Sequence, residues 1–333
     1  MLRKSVYWPK AKVASYHEEE FDSSLNDDEV LIANHYSLIS QSSEKELLAS
    51  DRSHSVLGTT FPLIPGYSVA GYVFKVGGKV TNVKLGDKVI ASPETGLGGH
   101  ANWVITKSRN VFKVANKVNL DDAVFFNLDA TGIYSIHRAQ LQLGQSIAII
   151  GVGVVGKAAL QTAKASGAYP IIAIDPRKEN RQFALSHGAD YAFAPDDQAI
   201  RELLINLDDH GVDVALDCSG SLAGINASLD YARPFGKAVW CSGTQSSQMI
   251  DYGKVFVKEL TVLGAFIGDQ KLIQQCYREF LLMLENHQLA IPEHNQMIYE
   301  PTDENIKNLY GRVLARENLG TPIFKWRKDN EKF

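Results

Sequence analysis

The chain has 333 residues, of which 45% are hydrophobic and 22% charged, and its formal net charge is −4. A chain longer than about 250–300 residues favours two domains, because a single hydrophobic core seldom grows further. The slightly acidic balance gives no electrostatic support for a nucleic-acid or membrane partner, and three scattered cysteines are too few for a disulfide framework.

The first third of the chain alternates short β-like runs with turn residues. Runs such as EVLIANHYSLI, YSVAGYVFKVG, DKVIAS and ANWVIT are separated by Gly, Asp and Asn, which is typical of strands joined by tight turns. The run FPLIPGYSVAGYV is broken by Pro65-Gly66, so a sharp turn is expected just before Tyr67. This region predicts a compact, mostly antiparallel β domain.

The rhythm of the sequence changes at about Leu120. The segment from Leu120 to Gln140 predicts a helix, and strand-like and helix-like segments alternate after it. Strand-like segments such as SIAIIGVG, PIIAID and VDVALDCSG are nearly continuous apolar runs, as in strands buried on both faces. The alternation predicts an α/β fold with a doubly wound parallel sheet.

After Phe266 come two helical stretches, and the final TPIFKW predicts a strand that returns to the first domain. The expected domain limits are therefore 1–119 with 267–333 for the β domain, and 120–266 for the α/β domain.

Gly151, Gly153 and Gly156 form a G-x-G-x-x-G motif directly after a strand and at the start of a helix. In that context the first glycine permits the turn, the second lets the backbone approach a diphosphate, and the third lets helix and strand pack closely. The diphosphate would meet the start of the helix, at Val154 and Val155. A dinucleotide site is predicted.

Asp175 ends the next strand, where a carboxylate would hold the ribose 2′-hydroxyl of NAD. Arg177, Lys178 and Arg181 follow, and a basic side chain there could instead pair with the 2′-phosphate of NADP. Either NAD or NADP is expected, with NAD preferred. Two further strand ends lie on the edge of the sheet where ligands bind, and their candidate cofactor residues are Cys218, Ser219, Gly220, Ser242 and Gly243.

Taken together, several segments resemble the medium-chain dehydrogenase/reductase superfamily, and the resemblance covers nearly the whole chain. The matching segments are FPLIPGYSVAGYV, KVTNVKLGDKVIA, GGHANWV, ATGIYSIHRAQLQLGQSIAIIGVGVVG and KELTVLGAF. The resemblance implies a GroES-like N-terminal β domain, a Rossmann domain and a homodimer. It also implies that Thr131 and Asn127 lie beside the nicotinamide, with Asn127 at the substrate pocket.

The sequence differs from the zinc-dependent members of this superfamily at the positions of the zinc ligands. Zinc-dependent members carry a Cys, a His and a third ligand at positions that hold Ser40, Tyr67 and Asn127 here, and the four-cysteine lobe is missing. Hydroxyl, phenol and amide groups are poor Zn²⁺ ligands at neutral pH. We therefore expect neither catalytic nor structural zinc. The segments SLISQSSEKELL and IPGY are similar to a zinc-less branch that includes the bacteriochlorophyllide a dehydrogenases, although degeneracy of this pattern argues against a chlorophyllide substrate.

Without a metal, a hydrogen-bond donor must polarise the reacting carbonyl. Tyr67 is the candidate donor, the alternative being that it fills the space left by the metal. Ser40 is a candidate relay and Ser42 a candidate substrate contact, although loop serines are often turn formers. His100 is a further catalytic candidate because histidine carries protons near pH 7, with packing as its alternative role.

The predicted function is a zinc-independent NAD(P)-dependent oxidoreductase acting on an alcohol or carbonyl of a small metabolite, with secondary metabolism as its expected setting. Two alternatives stay open: a zinc-free enoyl or quinone reductase using NADPH, and a catalytically silent dinucleotide-binding protein. The N-terminal segment resembles no signal peptide and the sequence contains no apolar run of membrane-spanning length, so a cytoplasmic location is expected.

Overall fold

The structure, a computed structural model, divides into two compact units. It describes residues 1–49, 60–94, 96–242, 249–291, 297–317, 319–328 and 331–333. The first unit comprises residues 1–127 and 291–333, and the second comprises residues 128–290. The domain limits at 119/120 and 266/267, expected from the sequence, stay a prediction.

The strands belong to three sheets. In chain order they are β1 Leu2–Lys10, β2 Val13–Glu20, β3 Glu29–Leu38, β4 Val69–Val76, β5 Lys88–Ala91, β6 Trp103–Lys107, β7 Val111–Lys113, β8 Ile147–Ile150, β9 Ile171–Ile174, β10 Tyr191–Phe193, β11 Val212–Asp217, β12 Ala232–Trp240, β13 Thr261–Gly264, β14 Ile298–Tyr299 and β15 Ile323–Lys325.

The helices lie between these strands. They are α1 Gln41–Ala49, α2 Leu120–Ala123, α3 Phe126–Ala139, α4 Val154–Ala165, α5 Lys178–Ser186, α6 Gln198–Asn206, α7 Leu222–Tyr231, α8 Tyr252–Val257, α9 Gln270–Glu285 and α10 Asp303–Leu314. None of the helices in the described ranges is both long enough and apolar enough to cross a membrane.

The first unit is built on a seven-stranded sheet with the strand order β14-β15-β3-β4-β5-β7, in which β6 also pairs with β3. Strand β3 is its centre, since nine of its ten residues are buried. The C-terminal strand β15 pairs antiparallel with β3, with Ile323 opposite Leu38. The expected return of TPIFKW to the first domain is thus part of the fold.

The second unit contains a six-stranded parallel sheet with the order β10-β9-β8-β11-β12-β13. All four residues of β8 and of β9 are buried, as their continuous apolar runs predict. The order reverses between β8 and β11, which is where Rossmann folds bind dinucleotides. The predicted fold class is confirmed.

The helix predicted from Leu120 to Gln140 is interrupted, and this part of the prediction is wrong. Helix α2 ends at Ala123 and α3 begins at Phe126. The physical reason lies at Val124, whose carbonyl oxygen accepts a hydrogen bond of 2.6 Å from the buried hydroxyl of Ser68. The side chain of Ser68, from another segment, therefore occupies the carbonyl oxygen of Val124 at the point where the helix is interrupted.

Candidate active site

The glycine-rich loop between β8 and α4 leaves space for a bound group. Gly151 has a φ of +88°, and a Cβ on Gly156 would lie 2.0 Å from the carbonyl oxygen of Gly151. By contrast, a Cβ on Gly153 would meet no heavy atom within 4 Å. Gly153 is the N-cap of α4 and supplies no side-chain cap to the amides there. The first turn of α4, including Val154 and Val155, can therefore receive an anion.

Asp175 follows β9 and is only 1% exposed. Its carboxylate accepts hydrogen bonds from the backbone N–H of Val152 at 2.8 Å and from the amide of Asn180 at 3.1 Å. Arg177 adds its own backbone N–H at 2.9 Å and two guanidinium contacts at 3.1 and 3.2 Å. Burial opposes ionisation, but these hydrogen bonds prevail and lower the pKa of Asp175. Protein donors thus surround the carboxylate that was expected to hold a ribose.

The predicted basic residues lie beside this carboxylate. The guanidinium of Arg181 donates to the carbonyl oxygens of Asp175 and Pro176 at 2.9 and 2.8 Å. The side chain of Arg177 is 38% exposed. Arg177 therefore covers Asp175 while keeping part of its own surface accessible.

The carboxyl ends of β11 and β12 are tied together by Asp217, which sequence reasoning did not single out. Asp217 is fully buried and accepts hydrogen bonds from the hydroxyls of Ser219 at 2.6 Å and Ser242 at 2.7 Å. A Cβ on Gly151 would lie 2.7 Å from the backbone nitrogen of Ser219, so this edge packs against the glycine-rich loop. Gly220, with a φ of +66°, lies at the same edge.

Gly243 and Thr131 were also predicted to contact the cofactor. Gly243 lies outside the described residues. Thr131 lies on α3, where its carbonyl oxygen accepts a hydrogen bond from Ser135 at 2.8 Å.

In the first unit, the three positions expected to have lost metal ligands are joined by hydrogen bonds. The phenol of Tyr67 hydrogen-bonds to the hydroxyls of Ser40 and Ser43, and the two serine hydroxyls lie 3.2 Å apart. The amide of Asn127 donates to the carbonyl oxygen of Tyr67 at 3.3 Å. Ser42, the remaining candidate from this segment, is exposed in the first turn of α1.

Tyr67 is partly exposed as a whole residue, but its hydroxyl group is removed from solvent. Burial is the main cause that raises the pKa of its phenol, the carboxylate of Glu44 adds to the rise, and the hydrogen bonds from Ser40 and Ser43 oppose it. The phenol consequently stays protonated through neutral pH. Such a group can donate a hydrogen bond or a proton but is a poor base.

A buried polar network lies behind Ser40. Glu44 is 1% exposed and His100 is fully buried. Nε2 of His100 lies 3.1 Å from one carboxylate oxygen of Glu44, and the hydroxyl of Tyr310 donates to the other at 2.5 Å. The backbone N–H of Ser40 also donates to Glu44, at 3.0 Å. Glu44 therefore connects the start of α1 to His100, in the loop before β6, and to Tyr310 on α10.

The other ring nitrogen of His100 is also occupied. Nδ1 lies 2.7 Å from the hydroxyl of Ser37, and this hydroxyl oxygen accepts a hydrogen bond from the indole of Trp326 at 2.8 Å. A Cβ on Gly66 would lie 2.6 Å from the His100 ring, so the left-handed turn at Gly66 makes room for the imidazole. Sequence reasoning found His100 but missed Glu44's link to it, because no periodic pattern connects residues so distant in the chain.

Within the described part of the chain, one cluster has the composition of a metal site. Side-chain ligand atoms of His137, Cys276 and Glu279 lie within 4.8 Å of one another. His137 and Glu279 also form a 2.6 Å hydrogen-bonded pair. These residues belong to α3 and α9 of the second unit and include none of the positions at which zinc ligands were sought.

Two family models match the chain. A model described as the alcohol dehydrogenase GroES-like domain matches residues 26–116, and one described as zinc-binding dehydrogenase matches residues 154–286. Galactitol 1-phosphate 5-dehydrogenase of Escherichia coli K12 is 27% identical over 243 residues, which cover 62% of this chain and 68% of that protein.

Similar folds occur among solved structures. An Escherichia coli oxidoreductase/dehydrogenase of unknown specificity involved in membrane biogenesis has a TM-score of 0.86 at 17% identity, covering 98% of this chain and 100% of that one. A putative zinc-binding dehydrogenase from Sinorhizobium meliloti, bound to NADP, has a TM-score of 0.82 at 17% identity with the same coverages. At these identities the likeness concerns the fold.

Proposed function

Because the chain belongs to the medium-chain dehydrogenase/reductase superfamily of zinc-type alcohol dehydrogenase-like proteins, we propose that it is a zinc-independent NAD(P)-dependent oxidoreductase. Its reaction interconverts an alcohol and a carbonyl of a small metabolite. The observation that carries this proposal is the hydrogen bonding of Tyr67 to Ser40, which occupy two of the expected metal-ligand positions, and to the neighbouring Ser43.

The dinucleotide is held by the second unit. The glycine-rich loop offers the amides at the start of α4 to the diphosphate, and Gly153 leaves room for it. The residues at the carboxyl ends of β11 and β12 line the same edge of the sheet. Thr131 is proposed to contact the nicotinamide. When bound, the nicotinamide supplies or accepts the hydride.

The residues at the expected metal positions do not fit zinc. Zn²⁺ in proteins is bound by thiolate, imidazole or carboxylate, whereas Ser40, Tyr67 and Asn127 offer a hydroxyl, a phenol and an amide. The Tyr67 phenol is hydrogen-bonded to Ser40 and Ser43, and the Asn127 amide donates to the backbone carbonyl oxygen of Tyr67. The match to the zinc-binding dehydrogenase model begins at residue 154 and so includes none of them.

Tyr67 takes the role of polarising the carbonyl oxygen of the substrate. Its protonated phenol donates a hydrogen bond to that oxygen and transfers the proton as the alcohol forms. The hydroxyls of Ser40 and Ser43 then donate hydrogen bonds to the phenolate oxygen, and a proton from water restores the phenol. Glu44 and His100 hold the start of α1, and with it Ser40, in place.

The substrate class follows from the relative whose name identifies a polyol phosphate. We propose a small hydroxylated alcohol or ketone, with Ser42 and Asn127 among the substrate contacts. A cytoplasmic homodimer acting in secondary metabolism is proposed on the same family grounds.

The test is a comparison of Tyr67→Phe with the wild type, using NADH or NADPH and a set of small hydroxyketones. We expect kcat to fall about 100-fold, a typical contribution of a positioned acid, while the Kd of the cofactor stays unchanged. Tyr72→Phe, which removes a phenol hydroxyl from β4, is the matched control and should keep its kcat. An unchanged kcat in Tyr67→Phe would return Tyr67 to a packing role.

Zinc content is measured on the same preparations. We expect clearly substoichiometric zinc by elemental analysis. If about one ion per chain were found, two variants would locate it: Ser40→Ala removes a donor at the proposed active site, and His137→Ala removes one from the cluster with Cys276 and Glu279 in the second unit. Loss of zinc in Ser40→Ala alone would contradict the proposal.

A further inference from the structure

Cys218 and Cys241 form a close pair of thiols on neighbouring strand ends. Their sulfur atoms lie 3.1 Å apart, and both residues are partly exposed. Each directly follows its strand, Cys218 after β11 and Cys241 after β12. The third cysteine, Cys276, is fully buried on α9.

The backbone around this pair suits a disulfide. Asp217 is paired with Trp240 in the parallel ladder, and the backbone N–H of Cys241 continues it by donating to the carbonyl oxygen of Asp217 at 3.0 Å. Adjacent strands lie about 4.8 Å apart, which falls within the roughly 4.4–6.8 Å separation of Cα atoms in disulfides. Bond formation requires the sulfurs to approach by about 1 Å more, to about 2.05 Å.

The pair adjoins the glycine-rich loop. A Cβ on Gly156 would lie 3.5 Å from the Cβ of Cys218, so this thiol is packed between the start of α4 and Cys241. The next residues along the two strand ends, Ser219 and Ser242, are both bound to the carboxylate of Asp217. Drawing the sulfurs together would therefore move the edge of the sheet that borders the loop.

We propose that Cys218 and Cys241 form a reversible disulfide under peroxide, and that this disulfide weakens binding of NAD(P). The disulfide itself is independent of the proposed function; only its effect on cofactor affinity rests on that function. Nothing in the pair needs a second protein chain or a metal.

The chemistry balances with hydrogen peroxide as the oxidant. The sulfur of Cys241 bonds to one peroxide oxygen as the O–O bond breaks, and the thiol proton leaves with the other oxygen as water. The sulfur of Cys218 then attacks that of Cys241, the S–O bond breaks, and a second water departs with the Cys218 proton. Two thiols lose two electrons in total, and one peroxide becomes two waters.

The same balance holds with the two roles exchanged, because the sulfur atoms lie 3.1 Å apart and whichever thiol is oxidised first has the other within reach to resolve the intermediate.

The disulfide is tested by peptide mapping of the full chain after treatment with hydrogen peroxide and digestion without reductant. We expect a linked peptide pair containing Cys218 and Cys241, two hydrogens lighter than the separate peptides, which dithiothreitol releases. Cys276→Ser should give the same linked pair, whereas Cys218→Ser and Cys241→Ser should give none. Thermal unfolding of each reduced variant checks that it is folded. Intermolecular linkage alone, or sulfinic acid at either cysteine without linkage, would overturn the proposal.

Cofactor affinity is measured on the same samples by NADH and NADPH fluorescence, and each protein is compared with its own reduced form. Oxidation should raise the Kd of the wild type and of Cys276→Ser about tenfold, within the usual range of coupling between two sites, and should leave the Kd of Cys241→Ser unchanged. Equal affinity of reduced and linked wild type would overturn the proposed effect. Failure of the reduced wild type to bind either cofactor would refute the proposed function, while the mapping would still decide the disulfide.

Discussion

Glu44 illustrates how a single buried carboxylate organises the first unit. It is almost fully buried, and it accepts hydrogen bonds from the start of its own helix and from Tyr310 while pairing with His100. Burial raises the pKa of Tyr310, and the negative charge of Glu44 and the hydrogen bond that the Tyr310 hydroxyl donates to it raise this pKa further. Removing the Glu44 carboxylate takes this hydrogen-bond acceptor from the Tyr310 hydroxyl and the Ser40 N–H and this contact from Nε2 of His100, which costs more than the hydrogen bonds themselves contributed.

We expect Glu44→Ala to lower the free energy of unfolding by about 3–5 kcal/mol, because three buried groups lose this acceptor at a cost of roughly 1–3 kcal/mol each. Glu46→Ala, a change of the same kind on the partly exposed face of α1, should change stability by about 0.5 kcal/mol or less. Urea unfolding monitored by circular dichroism measures both. Similar losses in the two variants would show that the network contributes little.

Arg177 is the residue at which the choice between NAD and NADP can be tested. Its guanidinium covers the carboxylate of Asp175 and keeps part of its surface exposed. In Arg177→Ala the carboxylate becomes accessible to ribose hydroxyls, and a cation able to pair with a 2′-phosphate is removed. The ratio of the Kd for NADPH to that for NADH should therefore rise, by about tenfold for a change near 1.4 kcal/mol.

The control for this experiment is Lys178→Ala, which removes a neighbouring positive charge at the start of α5. It should leave the Kd ratio within about twofold, because solvated charges contribute little. If Lys178→Ala changed the ratio as much as Arg177→Ala, net charge rather than the contact with Asp175 would control the preference.

At the scale of elements, the junction of β8 and α4 separates two roles of glycine. Gly156 lies where a Cβ would collide with the carbonyl oxygen of Gly151, whereas Gly153 borders open space. We expect Gly156→Ala to lower the melting temperature by several degrees, because helix and strand must move apart. Gly153→Ala should keep the melting temperature but weaken cofactor binding, because its methyl group occupies the space left for the diphosphate. Differential scanning fluorimetry with and without NADH distinguishes the two outcomes.

Elements also show what the sequence could predict. Continuous apolar runs such as IAII and IIAI predicted the parallel sheet because burial on both faces leaves no polar alternation. Local patterns could not predict that Ser68 binds the Val124 carbonyl and interrupts a helix, or that His100 meets Glu44. Such contacts depend on tertiary packing between segments that are far apart in the chain.

For the candidate site, motif spacing located the glycine-rich loop, and resemblance located Tyr67, Ser40 and Asn127. Ser43 was named with Ser40 and Ser42 as a possible relay, but its hydrogen bond to the Tyr67 phenol is evident only from the structure. Asp217 was likewise hidden, since a strand-terminal aspartate has many ordinary uses. Its role becomes evident when the hydroxyls of Ser219 and Ser242 are seen on the same carboxylate.

For the molecule as a whole, carboxylates in both units make stability depend on pH. Hydrogen bonds from the protein, opposed by burial, lower the pKa of Asp87, Asp175 and Asp213. A carboxyl whose pKa is lower in the folded state stabilises the fold above its unfolded pKa of about 3.9, and this contribution is lost as pH falls through the folded value. Stability should therefore be greater at pH 7 than at pH 3.

One carboxylate provides a matched check. Asp213 accepts hydrogen bonds from the backbone and hydroxyl of Ser146 and from Arg233. Asp213→Asn should be less stable than the wild type at pH 7, and the difference should shrink as pH falls from about 4 through the lowered pKa of Asp213, below which its side chain is uncharged like that of asparagine. Urea midpoints at the two pH values measure this. A difference that is independent of pH would assign the loss to geometry rather than charge.

The pairing of β15 with β3 has a consequence for the order of events during synthesis. Strand β3 is complete once Leu38 has been made, but its partner residue Ile323 belongs to the final strand. At a translation rate of about 5–20 residues per second, roughly a quarter of a minute to a minute separates the two. During that interval all the strands of the parallel sheet are synthesised, while part of the edge of β3 stays unpaired. The nascent chain is therefore exposed to mispairing at β3, the central strand of its first unit.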